Sequence, residues 1–235
     1  MKKIFKVTVW FLMITALVLC ASAVVSAEDY DLWVGGIRVT SDNASDIFGD
    51  GKAVFDAETN TLILDTVTLT AYYDFSNPVN NKPETAAIYS LQELNILVKG
   101  NCSLYTSAKN SYNDYGIYCK RPTAQNCEMR DALTITGYDD EAKLTVSSAS
   151  TLNETSALYT FDADIRIQDI GLTCYSASAM QSNTIYANGG EIFIDNSVVT
   201  CNAAEAQTQS SGLLAGFGIN ISGASNVTFT SKGCS

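Results

Sequence analysis

Short runs in which apolar and polar residues alternate recur along most of this chain. The tripeptides Ala87-Ile88-Tyr89, Gly116-Ile117-Tyr118, Ala157-Leu158-Tyr159, Thr184-Ile185-Tyr186 and Gly212-Leu213-Leu214 align, their central residues spaced by 29, 41, 27 and 28. The long interval contains an insertion around Arg121 to Arg130, and without it the spacing returns to the same period. A fixed period in the high twenties marks a solenoid. Two further alternating segments follow each tripeptide. They are Leu94-x-Ile96-x-Val98 and Cys102-x-Leu104, then Leu133-x-Ile135 and Leu144-x-Val146, then Ile165-x-Ile167 and Leu172-x-Cys174. Ile192-x-Ile194 with Val199-x-Cys201, and Ile219-x-Ile221 with Val227-x-Phe229, complete the series. Period-two alternation in runs rich in Ile, Val, Thr and Tyr predicts strands with one buried face.

Three strands per unit, with Gly, Asn, Asp and Ser at the breaks (Gly100-Asn101, Asn188-Gly189-Gly190, Asp195-Asn196), predict tight corners rather than crossover helices. The expected fold is all-β: a single-stranded right-handed parallel β-helix of about five coils, each filling the interior left open by its neighbour. Residues 28 to 80 differ in style. A strand through Trp33, Ile37 and Val39 and a hairpin of Ala53–Asp56 with Thr61–Thr70 predict an N-terminal β cap that covers strand edges otherwise open to aggregation. Residues 81 to 235 form the solenoid, continuous with the cap. The chain stops six residues after Phe229 without an evident second cap, so either Cys234 ties the end down or the sequence is part of a longer protein.

The first residues change where this fold is expected to work. Lys2, Lys3 and Lys6, an apolar run from Val7 to Cys20, and small-residue sites at Ala23 and Ala27 form a secretory signal peptide over residues 1–27, cleaved after Ala27 or alternatively Ala23. A retained membrane anchor is the competing reading; the run is shorter than the ~20 residues of a spanning helix. Beyond residue 27 the chain keeps 11 basic and 25 acidic residues, a net charge of −14. Such a surface repels phosphate, which argues against nucleic acid and anionic membranes as partners. Six cysteines follow the leader and no His occurs anywhere, so disulfides suit an exported chain better than a metal centre.

The run Tyr30-Asp31-Leu32-Trp33-Val34-Gly35-Gly36, then Val39-Thr40-Ser41, Gly49-Asp50-Gly51 and Asp56-Ala57-Glu58-Thr59-Asn60-Thr61-Leu62, resembles the start of β-helix modules in cell-surface proteins of Gram-positive gut bacteria. The later Ile-Tyr units resemble their repeats. Such modules are commonly described as carbohydrate-binding and belong with pectate-lyase-like solenoids. The resemblance implies a secreted or cell-surface protein whose partner is a polysaccharide or surface glycan; it identifies no ligand residue.

Catalysis is not expected. Polysaccharide lyases and hydrolases of this architecture resemble one another in acidic clusters joined by Arg or His. Here the mature chain offers only Arg38, Arg121, Arg130 and Arg166, and Asp139-Asp140-Glu141 reads as a solvated turn. Without His, a Ser or Cys nucleophile lacks its usual base. The more specific feature is aromatic. With Ile88, Ile117, Leu158 and Ile185 inward, Tyr89, Tyr118, Tyr159 and Tyr186 point outward, one per coil at ~4.8 Å, as a strip suited to the faces of sugar rings. The alternative is that stacked rings stabilise the solenoid, or lie beneath the insertions at 72–85 and 105–115. Cys174 and Cys201 fall at equivalent positions on consecutive coils, within the Cα separation a disulfide allows, or else pack as free thiols. Cys119 and Cys127 flank the insertion and are the second candidate pair. No cofactor is expected, save that Asp162, Asp164, Asp169 and Asp195 near coil corners offer oxygens for Ca²⁺.

Overall fold

The computed structural model describes residues 27–76, 81–107, 111–120 and 131–234, with Asp131 and Ala132 described as backbone alone. The leader apart from Ala27, the insertion 121–130 and Cys127 within it lie outside the described residues. Among those described there are 21 strands and no helix.

Six short strands come first: β1 (Asp29–Val34), β2 (Ile37–Thr40), β3 (Ala53–Asp56), β4 (Thr61–Asp65), β5 (Thr68–Leu69) and β6 (Tyr73–Ser76). The rest fall into threes. They are β7 (Pro83–Ser90), β8 (Leu94–Lys99) and β9 (Asn101–Tyr105), followed by β10 (Asn113–Lys120), β11 (Asp131–Gly137) and β12 (Lys143–Ser147). Next are β13 (Glu154–Phe161), β14 (Asp164–Gln168), β15 (Gly171–Ser176), β16 (Ala179–Asn188), β17 (Glu191–Asp195) and β18 (Val198–Ala203). The last are β19 (Ala206–Ala215), β20 (Gly218–Ser222) and β21 (Asn226–Ser231).

From β7 onward each strand pairs in parallel with the third strand after it, so three sheets grow side by side. Sheet A runs β7-β10-β13-β16-β19, sheet B runs β4-β8-β11-β14-β17-β20, and sheet C runs β5-β9-β12-β15-β18-β21. This all-β, mostly parallel arrangement is consistent with a β-solenoid. Register makes the repeat physical. Ile88, Ile117, Leu158, Ile185 and Leu213 are consecutive partners in sheet A. Leu94, Leu133, Ile165, Ile192 and Ile219 form the matching column in sheet B, and Cys102, Leu144, Leu172, Val199 and Val227 in sheet C. Alternate residues meet in one continuous core because successive side chains of a strand point to opposite faces. Corners repeat as well. Asp169, Asn196 and Gly223 stand at the same turn of successive units with φ of 52°, 46° and 61°, a region that Asp, Asn and Gly enter at least cost.

The first strands depart from expectation in two places. The strand expected through Trp33, Ile37 and Val39 is broken at Gly35-Gly36 (φ 57° and 80°), and β2 folds back antiparallel on β1. Of the run Thr61–Thr70, only β4 forms the expected hairpin with β3; the chain turns at Thr66 (φ 53°) and β5 enters sheet C. Both β1 and β6 then pair antiparallel with β7, Leu32, Trp33 and Val34 facing Ser90, Tyr89 and Ile88, and Tyr73 to Ser76 facing Ala86 to Pro83. At the far end, inward-phased Ile219, Ile221 and Phe229 are exposed, since among the described residues β20 and β21 are the last strands of their sheets.

Cys174 and Cys201 are register partners as their spacing predicts, yet both are buried free thiols without an S–S bond. The reason is directional. In-register side chains of parallel neighbours run side by side, so their Cβ atoms stay near the ~4.8 Å strand spacing, beyond the roughly 3.5–4.5 Å a disulfide spans. Cys119 is buried with its thiol donating to the Gln92 carbonyl (3.1 Å).

Alkylation of the unreduced, denatured protein should therefore label both Cys174 and Cys201; a tryptic pair linked through them would contradict the arrangement. A second expectation concerns packing at a corner. A Cβ on Gly190 would stand 2.0 Å from the Ala163 carbonyl oxygen. Gly190→Ala should lower stability by about 1–3 kcal/mol, read as a reduced urea midpoint at unchanged m-value.

Candidate functional site

The tyrosines expected on one face are brought together. Tyr89, Tyr118, Tyr159 and Tyr186 are consecutive register partners in sheet A, and their rings form a ladder. Tyr89 and Tyr118 stack at 5.2 Å with 22° between planes, Tyr118 and Tyr159 at 5.3 Å and 20°, whereas Tyr186 meets Tyr159 edge-on at 5.4 Å and 83°. The ladder is not the flat exposed strip that alternation suggests. Tyr118 is 8% exposed and Tyr159 6%, with Tyr89 and Tyr186 half-buried. A second aromatic layer lies against it. Phe75 of β6 rests on Tyr89 (4.2 Å) and Tyr118 (5.3 Å), and Tyr115 packs against Tyr118 (5.1 Å) and Tyr159 (4.7 Å).

Exposure survives at the β7 end, where β1 and β6 bring residues that sequence reasoning left out of the site. Trp33 stacks on Tyr73 (4.7 Å, 19°) and meets Tyr89 edge-on at 5.5 Å; Tyr73 lies 5.4 Å from Tyr89. Two adjoining hollows open over these rings. The outer one, of about 440 Å³, is lined by Trp33, Tyr73, Asp74, Phe75, Pro83 and Tyr89 among others. The inner one, of about 280 Å³, is lined by Phe75, Glu84, Tyr89, Tyr118 and Lys120, and the two share Phe75, Ser76, Tyr89 and Leu91. An apolar hollow with a few polar groups is the usual form of a small-molecule site. Of the four predicted residues, Tyr89 and Tyr118 line this cleft; Tyr159 and Tyr186 continue its ladder away from it.

Burial sets the ionisation of the ladder. It pushes the Tyr89 phenol up to about 12, the Tyr73, Glu84 and Asp31 charges adding to it, and raises Tyr118, Tyr159 and Tyr186 in the same direction. These hydroxyls remain neutral donors throughout the physiological range. Arg38 lies over the Trp33 ring at 5.1 Å and is held by Asp29 (2.9 Å) and Asp31 (3.6 Å).

Beside the rings runs a polar row in which Glu84, Asn113, Glu154 and Gln181 are register partners. Asn113 donates to Glu84 (2.7 Å) and accepts from the Glu154 backbone N–H (3.1 Å) and the Asn153 amide (2.9 Å). Burial pushes the Glu154 carboxyl up to about 7; the Asn183 amide opposes this, the Glu84 charge adds to it, and Ser156 opposes it. The adjacent column holds Asp114, fully buried, accepting from Thr85, Thr106 and the Ala149 N–H, with burial raising its carboxyl to about 6.

A larger cavity, about 690 Å³, lies on sheet C, lined by residues including Asp140, Lys143, Thr145, Thr173, Val198 and Thr200. It contains no aromatic ring. The acidic corners do not converge either. Asp164 accepts from the Glu191 N–H (2.8 Å) and Asp195 from the Ser222 hydroxyl (2.8 Å), and among the described residues no three carboxylates or thiols gather as metal ligands. Asp139-Asp140-Glu141 forms an exposed turn closed by Asp139 accepting from the Glu141 N–H (3.1 Å). No family model, curated protein or solved structure matches this chain.

Glu154 provides a pH test. The folded chain keeps its proton where the unfolded chain, with an ordinary value of 4.5, has lost it. Stability contributed at this position therefore falls as pH rises from about 4.5 to about 7 and is level above, on the order of 3 kcal/mol in all. Asp114 adds a similar fall below about pH 6. In urea melts at pH 4.5, 6 and 8, Glu154→Gln should remove most of the fall above pH 6 and reduce the fall between pH 4.5 and 6 to the part that Asp114 contributes.

Proposed function

We propose that this chain is a secreted, non-catalytic binding module that holds carbohydrate in the aromatic cleft of Trp33, Tyr73, Phe75, Tyr89 and Tyr118. Its scaffold in this reading is a right-handed parallel β-helix of about five coils, with residues 28–80 as the N-terminal β cap and residues 1–27 as a cleaved leader. The observation that carries the proposal is the contiguous aromatic surface opening into two adjoining hollows where β1 and β6 join β7. The half-buried rings Trp33, Tyr73, Phe75 and Tyr89 offer apolar edges to the C–H groups of sugars, and neutral phenol hydroxyls suit sugar hydroxyls. Further along the ladder Tyr159 backs Tyr118, and Tyr186, edge-on to Tyr159, stands outside the cleft. Its partner is a polysaccharide or surface glycan outside the cell, in keeping with the leader and with the modules that the Tyr30–Leu62 motifs resemble.

A glycan array probed with the mature protein tests the proposal. Binding to at least one glycan class is expected, weakened about tenfold or more by Trp33→Ala or Tyr89→Ala, some 1.4 kcal/mol, and retained by Tyr186→Ala, which lies away from the cleft. A blank array would sink the reading in favour of a structural or adhesin-like surface repeat, and release of unsaturated sugars would favour a lyase.

A further inference from the structure

The last unit of the repeat ends on an uncovered core. Ile219, Ile221 and Phe229 continue the columns of Ile192, Ile194 and Cys201, which are fully buried one level earlier, yet they are 43%, 53% and 64% exposed. Among the described residues β19, β20 and β21 pair along their length only with the strands of the preceding unit, so each keeps an edge of open backbone donors and acceptors. Gly233 and Cys234 cover only the irregular start of β19, at Ala206. The three strands hold ten, five and six residues, together close to the roughly 20–30 residues a side of a standard-size protein interface.

The residues of this end suit a second copy of the chain. Residues 206–231 contain no charged side chain and no proline, the usual guards of a strand edge, although the chain has 14 basic and 25 acidic residues. The unit of β13 to β15, by contrast, carries Asp162, Asp164, Arg166 and Asp169. Copies with a net charge of −14 beyond residue 27 repel one another least where this uncharged end meets its like. The opposite end offers no match for a head-to-tail stack. There β1 and β6 lie antiparallel along β7 and β3 along β4, and the outermost strands β2, β3, β5 and β6 have only four, four, two and four residues. Two open ends facing each other about a two-fold axis set facing strands antiparallel and close the assembly at two copies. Such an axis maps one sheet onto itself and exchanges the other two; β20 and β21, of five and six residues, are the pair of matching length. We infer that the open end is a self-association face, at which two copies join with β19 beside its own counterpart and β20 beside the other copy's β21.

Analytical ultracentrifugation of the mature protein over a dilution series tests this. A monomer–dimer equilibrium is expected, with nothing larger. Ile221→Glu should raise the dimer dissociation constant about a hundredfold or more, since each dimer would then bury two unpaired carboxylates. Leu152→Glu, at an exposed apolar residue two units from the end, should leave it unchanged. If the Ile221 variant fails to fold, amide hydrogen exchange on the unsubstituted protein decides: protection of β20 and β21 should rise with concentration while that of β5 stays constant. A monomer at every concentration, filaments or other larger assemblies, a dimer indifferent to Ile221→Glu, or exchange in β20 and β21 that ignores concentration overturns the inference. A monomer would leave the end to a partner of different chemistry. None of these outcomes bears on carbohydrate binding, which the array tests separately.

Discussion

Parallel, in-register hydrogen bonding between each strand and the third strand after it constrains almost everything else in this protein. Because partner residues sit ~4.8 Å apart and point the same way, a side chain chosen in one unit meets its counterpart in the next. Inward positions accept branched aliphatic residues at every level, and Ile88, Ile117, Leu158 and Ile185 stack without a gap. Outside the core the same rule turns four separate tyrosines into a ladder. It also makes like charges expensive, which is why Asn113 stands between Glu84 and Glu154 rather than a third acid.

A lattice this regular makes long flat faces more readily than concave sites. Concavity enters where the regularity fails. At β7 two antiparallel strands share one edge, β6 along its first half and β1 along its last, and they deliver Phe75, Tyr73 and Trp33 to the side of Tyr89. Antiparallel partners bring residues from outside the repeat, and with them new ring orientations at this level of the ladder. Further along, Tyr115 closes over Tyr118 and Tyr159, and the aromatic surface becomes interior.

What could be read from the sequence follows the same division. The columns in sheets A, B and C were legible because period and alternation are local properties, and the tyrosine ladder followed from the same count. The cleft was not, since the contacts of Trp33 with Tyr89 and of Phe75 with Tyr118 join segments far apart in the chain and carry no period. The cluster Tyr72-Tyr73-Asp74-Phe75 just ahead of the first Ile-Tyr unit was the available signal, and its Tyr73 and Phe75 do lie against the ladder. The cysteine pair shows another limit. Spacing fixed the Cα register of Cys174 and Cys201, but bond formation depends on where Cβ points, which a repeat count does not encode.

The polar row beside the tyrosines is the costliest part of the design, and its position suggests why it is tolerated. The long strands of sheet A must carry the chain from the end of sheet C into the tyrosine face, and backbone groups at that corner need partners. Asp114 supplies them by accepting from Thr85, Thr106 and the Ala149 N–H, and Thr155 donates to the Ala177 carbonyl (2.8 Å) one level on. An apolar residue at position 114 would leave the Ala149 N–H and two hydroxyls without that acceptor, whereas a carboxyl satisfies all three at the expense of desolvation. The corner thus helps to fix where β10 and β13 begin, and through the register the height of Tyr118 and Tyr159.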